Sequence, residues 1–160
     1  MKVRRFKPND SDFCFKIRCD AFIIKFYDEI GPHAVAAGIN AYLPQDYVEL
    51  SKITEFFIVE SESQRVGFFT LKRVNQNTAE IPLIYFDLSL TGKGLGSSCM
   101  KYIEHWIQTE WKNVTNLYLD TIIPKYNGGF YRKLGFEETT KTYCQFNDLR
   151  IPALRFEKIL

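Results

Sequence analysis

The chain has 160 residues, 46% hydrophobic and 25% charged, a balance that suits one globular domain over residues 1–160 and excludes disorder. The formal net charge is only +2, with Lys and Arg scattered rather than clustered, so electrostatics gives no reason to expect nucleic acid as a partner. The four cysteines, Cys14, Cys19, Cys99 and Cys144, form neither a CxxC pair nor a Cys/His cluster at metal-ligand spacing, so no metal is expected and reduced thiols in a cytoplasmic protein are the simplest account.

The opening MKVRRFKPND lacks the apolar stretch of a signal peptide. No apolar run approaches the ~20 residues of a membrane helix. Residues 2–6 read as a first strand, and Pro8 to Ser11 supply turn and N-cap chemistry. Phe13, Ile17, Ala21 and Ile24 then recur at helical spacing, with Phe15, Phe22 and Phe26 on another side, until Gly31 and Pro32 stop the helix. A second helix covers about residues 32–42, before Pro44. Residues 53–60 and 65–74 read as a hairpin around Ser61 to Gln64, and residues 80–90 as a third long strand. Leu95, Cys99, Ile103, Trp106 and Ile107 mark one face of a helix running to about residue 111. A strand at 116–123, a short helix from Asn127 to Leu134, and strands at 136–144 and 153–159 complete the chain. Strand 80–90, the helix after it and strand 116–123 form a βαβ unit with a parallel pair, whereas the hairpin is antiparallel. The fold class expected is α/β (α+β): a single mixed, mostly antiparallel sheet of six to seven strands with helices on both faces.

The most informative segment is Thr91-Gly92-Lys93-Gly94-Leu95-Gly96-Ser97, between a strand and a helix. A helix start carries backbone N–H groups without internal partners and a partial positive charge. Glycines let an anion approach those groups closely, so the segment suits a pyrophosphate; a glycine turn that merely closes the strand–helix connection is the alternative. It is neither a Walker loop, GxxxxGK[ST], nor a dinucleotide fingerprint, GxGxxG in an early βαβ unit.

On this motif the sequence resembles the GNAT superfamily of N-acetyltransferases, whose signature Arg/Gln-x-x-Gly-x-Gly/Ala follows the fourth strand; this chain has TGKGLG at residues 91–96. A second family feature, FYxKLGF after the fifth strand, reads FYRKLGF at residues 130–136. The element order matches from residue 3 to the C-terminus. The resemblance implies acetyl-CoA as cofactor, with its pantetheine arm paired to the backbone of Phe86, Asp87 and Leu88 as an added strand. It implies the pyrophosphate on the amides from Gly92 to Ser97, and a thioester admitted where the fourth and fifth strands splay. Three departures stand out. Thr91 replaces the usual Arg or Gln. The family's Asn-x-x-Ala is absent, with Pro124 where Asn is usual and Asn127 where Ala is usual, leaving Asn127 as a candidate polar contact to the cofactor. Pro82 interrupts the fourth strand and should cause a bulge.

Amide formation requires the amine to lose a proton and the leaving thiolate to gain one. The resemblance places Tyr131 beside the sulfur as general acid; a core aromatic is the alternative. It suggests Glu80 as the carboxylate that relays the amine proton, against a solvated strand-end residue. Asp87, an acid within an apolar strand, is the substitute base. His105 reads as a surface residue, His33 as a weak candidate for substrate contact, and Cys99 as core. Lys93, Lys101, Arg132 and Lys133 could meet the cofactor's outer phosphate or be solvated. The expected activity is transfer of an acetyl group to a primary amine of a small molecule or peptide, with room for a homodimer. The rivals are a non-catalytic acyl-CoA-binding domain and a nucleotide-binding α/β domain.

Overall fold

Short polar turns and alternating apolar residues set up the first half of the sheet. The computed structural model describes residues 1–122 and 128–160. Strand β1 (Lys2–Arg5) lies antiparallel to β2 (Glu55–Ser61), which turns into β3 (Gln64–Arg73). Glu62 and Ser63, with φ of 49° and 62°, make the tight connection, as two-residue hairpins with a right-handed strand twist require. Between β1 and β2 the chain forms α1 (Ser11–Asp20), a π-helical segment (Ala21–Phe26), α2 (Tyr27–Asn40) and α3 (Pro44–Leu50). The stop expected at Gly31 and Pro32 is a kink inside α2, where Gly31 adopts φ 80° and ψ 166°. Pro44 does not simply end a helix. It occupies the first position of α3, where its missing N–H costs nothing, and Asp46 accepts the Leu43 N–H at 2.8 Å to cap the start.

The second half contains β4 (Thr78–Glu80), β5 (Ile84–Phe86), a 3₁₀ turn (Leu88–Leu90), α4 (Leu95–Glu110), β6 (Asn116–Ile122), α5 (Gly128–Lys133), β7 (Glu137–Phe146) and β8 (Leu149–Ile159). The sheet order is β1-β2-β3-β4-β6-β8-β7, with β5 also paired to β3. Among the described residues only β4 and β6 run parallel, so the sheet is mixed and mostly antiparallel, as expected. Among the described residues it has eight strands rather than six or seven because the run 80–90 is not one strand.

One face of the sheet is covered by α4, whose stripe of Cys99, Met100, Ile103 and Ile107 is fully buried against Phe57, Phe69, Leu71, Leu117 and Leu119. On the other face α1 and α3 cover Phe56, Ile58 and Phe68, while Ala34 and Val35 of α2 join Ile122 and Ile151. Each such large apolar side chain contributes roughly 1.5–3 kcal/mol by leaving water. The first strand is tied to the start of α1 by Arg4, which donates to both oxygens of buried Asp10 at 2.7 and 2.9 Å and to Glu60 at 2.6 Å.

The break in the 80–90 run lies at residues 81–83 and follows from Pro82, which has no N–H for a ladder. Strand β3 consequently serves two partners. Its end pairs with β4 through Lys72 and Arg73, and its middle pairs with β5 through Gly67, Phe68 and Phe69. Thr70 sits at the change of partner with no exposed surface. Its N–H donates to Leu83 O at 2.9 Å, and its Oγ1 accepts the Leu83 N–H at 3.1 Å. Thr70→Val keeps the shape but orphans the Leu83 N–H. Unfolding in urea should show a loss of about 1–3 kcal/mol, with Thr70→Ser close to wild type.

Candidate active site

The same break opens a cleft. The last bond across it is Ile81 N–H to Tyr118 O at 2.9 Å. Beyond this point β6 pairs with β8 through residues 119–122, while β5 follows β3. Thr70 N–H to Leu83 O and Asp87 N–H to Val66 O, both 2.9 Å, fix which residues of β5 face β3. Alternate residues of an antiparallel strand direct their backbone groups to opposite sides. The N–H and C=O of Ile84 and Phe86 therefore face the cleft, open to an added extended chain. The cleft has a volume of about 930 Å³.

The glycine turn forms one end of it. Thr91 closes the 3₁₀ turn, donating from N–H and Oγ1 to Leu88 O at 3.2 and 2.8 Å. Gly92 and Gly94 take φ of 84° and 77°, and a Cβ on either would meet nothing within 4 Å. They face open space and bend the chain into α4. The first helical bond is Ser98 N–H to Gly94 O at 3.0 Å, which leaves the N–H groups of Leu95, Gly96 and Ser97 without intrahelical partners, and among the described residues no side chain caps them. This is a preformed anion cradle.

The FYRKLGF run has a local reason of its own. Phe136 N–H donates to Tyr131 O at 3.1 Å and Gly135 N–H to Arg132 O at 3.0 Å, the bond pair of a Schellman helix end, with Gly135 at φ 84°. Phe130 reaches α4, its ring 3.1 Å from where a Cβ on Gly96 would lie, so the two motifs meet. Tyr131 lies against Phe130, Phe136 and Phe156 at ring separations of 5.1, 6.1 and 5.5 Å and lines the cleft. Desolvation, with Tyr85 adding to it, pushes its hydroxyl up to about 12.

Of the residues singled out in the sequence, Glu80, Phe86, Asp87, Leu88, Thr91, Gly92, Gly94, Leu95, Gly96, Ser97 and Tyr131 all line this one cleft. Lys93 does not line it, and Asn127 and Pro124 lie outside the described residues. The backbone of Asp87 is spent, its N–H on Val66 and its C=O on Leu90 at 3.1 Å. The Asp87 carboxylate accepts from the Oγ and N–H of Ser89 at 2.7 and 2.9 Å, and these bonds hold it below the ordinary carboxylate range. It acts as the cap of the 3₁₀ turn, which makes it a poor proton acceptor. Glu80 pairs in register with Tyr118 on the face opposite α4. Desolvation, then the charge of Glu80, pushes the Tyr118 hydroxyl up to about 12. Sequence reasoning missed Arg18, Tyr85 and Asp120, which also line the cleft; their spacing carries no motif. A second hollow of about 500 Å³, beside Arg5 and Lys72, contains none of the residues singled out.

Residues 52–138 match the model of the Acetyltransferase (GNAT) domain, more than half of the chain. The chain belongs to the GNAT family of acetyltransferases. No curated protein matches it in sequence. Among solved structures it resembles a GCN5-related N-acetyltransferase from Rhodopseudomonas palustris, with a TM-score of 0.85 at 16% identity over 99% of this chain and 95% of that one. An N-acetyltransferase, paia, from Thermoplasma acidophilum, crystallised with coenzyme A, gives 0.79 at 17% identity over 99% and 98%. Ard1 from Thermoplasma volcanium gives 0.76 at 20% over 99% and 97%. At these identities the likeness is one of fold. This GNAT chain is an acetyltransferase, and its family uses acetyl-CoA.

The residues present fit that cofactor. The uncapped amides of Leu95, Gly96 and Ser97 and the open space at Gly92 and Gly94 suit a pyrophosphate, and the outward backbone of Ile84 and Phe86 suits an amide-bearing arm. Among the described residues no group of three or more His, Cys, Asp or Glu could hold a metal ion, and no helix is long and apolar enough to cross a membrane. Coenzyme A at a hundred times its Kd should stabilise the protein by about 2.7 kcal/mol, seen as a raised Tm. Gly94→Glu should abolish that gain by placing a carboxylate in the cradle. Any side chain at this positive φ costs roughly 1–2 kcal/mol of stability, so Gly94→Ala is the control that isolates the backbone effect.

Proposed function

We propose that this GNAT chain transfers an acetyl group from acetyl-CoA to a primary amine of a small molecule or peptide, with Tyr131 as general acid and Glu80 as the carboxylate that receives the amine proton. The observation that carries this reading is the meeting of the uncapped glycine turn, the outward backbone of Phe86, the Tyr131 hydroxyl and Glu80 in one cleft. Bound there, the cofactor supplies an activated acyl group on a thiol leaving group.

The chain's own part is then largely one of proton placement. The Leu95, Gly96 and Ser97 amides bind the diphosphate, and the Ile84 and Phe86 backbone orients the arm. Tyr131, raised to about 12, keeps its proton throughout the neutral range and holds it at Oη for delivery to the departing sulfur. Alkylamines have a pKa near ~10 and are mostly protonated at neutral pH, so a base is needed. Glu80 at the opposite wall accepts that proton, directly or through water.

Tyr131→Phe should lower kcat by about 10²–10⁴-fold with coenzyme A affinity retained. The loss should be uniform from pH 6 to about 10, because Tyr131 does not titrate there; a purely structural hydroxyl would instead lower Tm and leave turnover per folded molecule intact. Glu80→Gln should lower kcat/KM by about 10²-fold at pH 7. That deficit should shrink as the pH nears the amine's own value of ~10, since free amine then needs no base. A deficit constant with pH would assign Glu80 a structural role.

A further inference from the structure

Arg18, on α1, is the feature of the cleft that the reaction above does not use. It is 1% exposed, and its Nε and Nη1 find no hydrogen-bond partner among the described residues. Its surroundings are aromatic, with the guanidinium carbon 4.8 Å from the ring centre of Phe22, 5.0 Å from Tyr42 and 6.0 Å from Phe146. Tyr85 of β5 neighbours Arg18, and burial raises that phenol, so it supplies no negative charge. The acids in reach of the cleft are occupied elsewhere. Asp120 holds Arg155 with both oxygens at 2.8 and 2.9 Å, Glu80 faces Tyr118, Asp87 holds Ser89, and Asp20 accepts from Lys16 at 2.6 Å.

A buried guanidinium without a carboxylate is an uncompensated charge, and buried donors without acceptors are rare enough to require a reason. A second orphan adjoins it: the Tyr47 hydroxyl is also buried without a partner and feels the charge of Arg18. Arg18 lines the cleft on the wall formed by α1 and the π-helical segment, alongside Tyr42, Lys25 and Phe146. A methionine or leucine would fill the same aromatic cage without leaving a charge unpaired. Nε and Nη1 lie on different edges of the guanidinium, and a carboxylate arriving at either edge meets a planar pair of N–H groups.

We infer that Arg18 receives the carboxylate of the acceptor, so that the substrate is an amine that also carries a carboxylate, an amino acid or a close relative. This rests on the amine-transfer reading above and narrows it. Tyr85 connects the two halves of the site: it neighbours Arg18 on one side and Tyr131 on the other. A carboxylate held at Arg18 would thus fix the amine of the same molecule on the Tyr131 side of the cleft.

The test compares matched pairs: proteinogenic and ω-amino acids against their carboxamides, with released thiol as the readout. For the best acceptor, kcat/KM should favour the acid over its amide by at least about a hundredfold, the kind of discrimination a site built around a buried polar group achieves. Arg18→Met should reduce that ratio to within a few-fold, mainly through KM, while leaving Tm unlowered and coenzyme A binding unchanged; Arg18→Lys should fall between. Equal use of acids and amides by the wild type, or a preference that survives in Arg18→Met, overturns the inference and leaves amine transfer standing. So does an Arg18-dependent preference for succinyl-CoA over acetyl-CoA, which would assign the guanidinium to the acyl group. Binding is read separately, as the Tm gain from N-acetylated amino acids with coenzyme A present, expected in the wild type and absent in Arg18→Met. That gain without turnover of any amine would overturn the transfer reading and support the carboxylate site. Its absence from the wild type would point to a buried water at Arg18 and overturn the site.

Discussion

The structure depends on one hydroxyl. Pro82 removes a ladder donor in the middle of what would otherwise be a continuous strand, and Thr70 repairs the damage by taking the Leu83 N–H on its side chain while giving its own N–H to Leu83 O. Without an acceptor there, the buried Leu83 amide would have no partner and the chain would have to re-register. With it, β3 can hold β4 at one end and β5 in its middle. The sheet divides between β5 and β6, and at the division both the N–H and the C=O of Leu83 are bonded to Thr70. The cleft and the outward face of Phe86 both follow from that division.

A second constraint acts at the far side of the cleft. The glycine turn and the FYRKLGF run are distant in sequence but touch through Gly96 and the Phe130 ring. The close contact holds α4 and α5 at a fixed spacing, and the Schellman bonds to the Tyr131 carbonyl set the direction in which that residue leaves its helix. The anion cradle and the phenol are thereby parts of one rigid corner rather than separate loops.

How much of this could be read from the sequence varied with the range of the interaction responsible. The α4 stripe at Cys99, Ile103 and Ile107, the strand–turn–helix around Gly92 to Ser97 and the hairpin at Glu62 and Ser63 are products of local periodicity and turn chemistry, and each is legible in a short window. The kink at Gly31 and Pro32 was legible as a stop signal but continues as helix, because α2 packs on Ile122 and Ile151 beyond it. Pro44 was legible as the end of one helix, but not as the start of α3, which depends on Asp46 capping it. Pro82 gave a sign of irregularity, but nothing nearby announces Thr70, twelve residues earlier and on another strand. Arg18 was the least legible. On α1 it looks like an ordinary basic residue of a solvated helix, and only the packing of Phe22, Tyr42 and Phe146 around it makes it a buried charge.

The divided sheet also bears on self-association. An open strand edge is normally a hazard, since its unpaired N–H and C=O groups template the addition of another chain's strand. In this protein the edge of β5 that offers Ile84 and Phe86 is recessed at the floor of a cleft walled by α1, α4 and β6. A slender ligand arm can reach it, whereas a second polypeptide with its side chains cannot lie flat along it. The recess that makes this edge useful for binding therefore also keeps it from templating another chain's strand, which leaves β1 and β7 as the outer edges of the sheet.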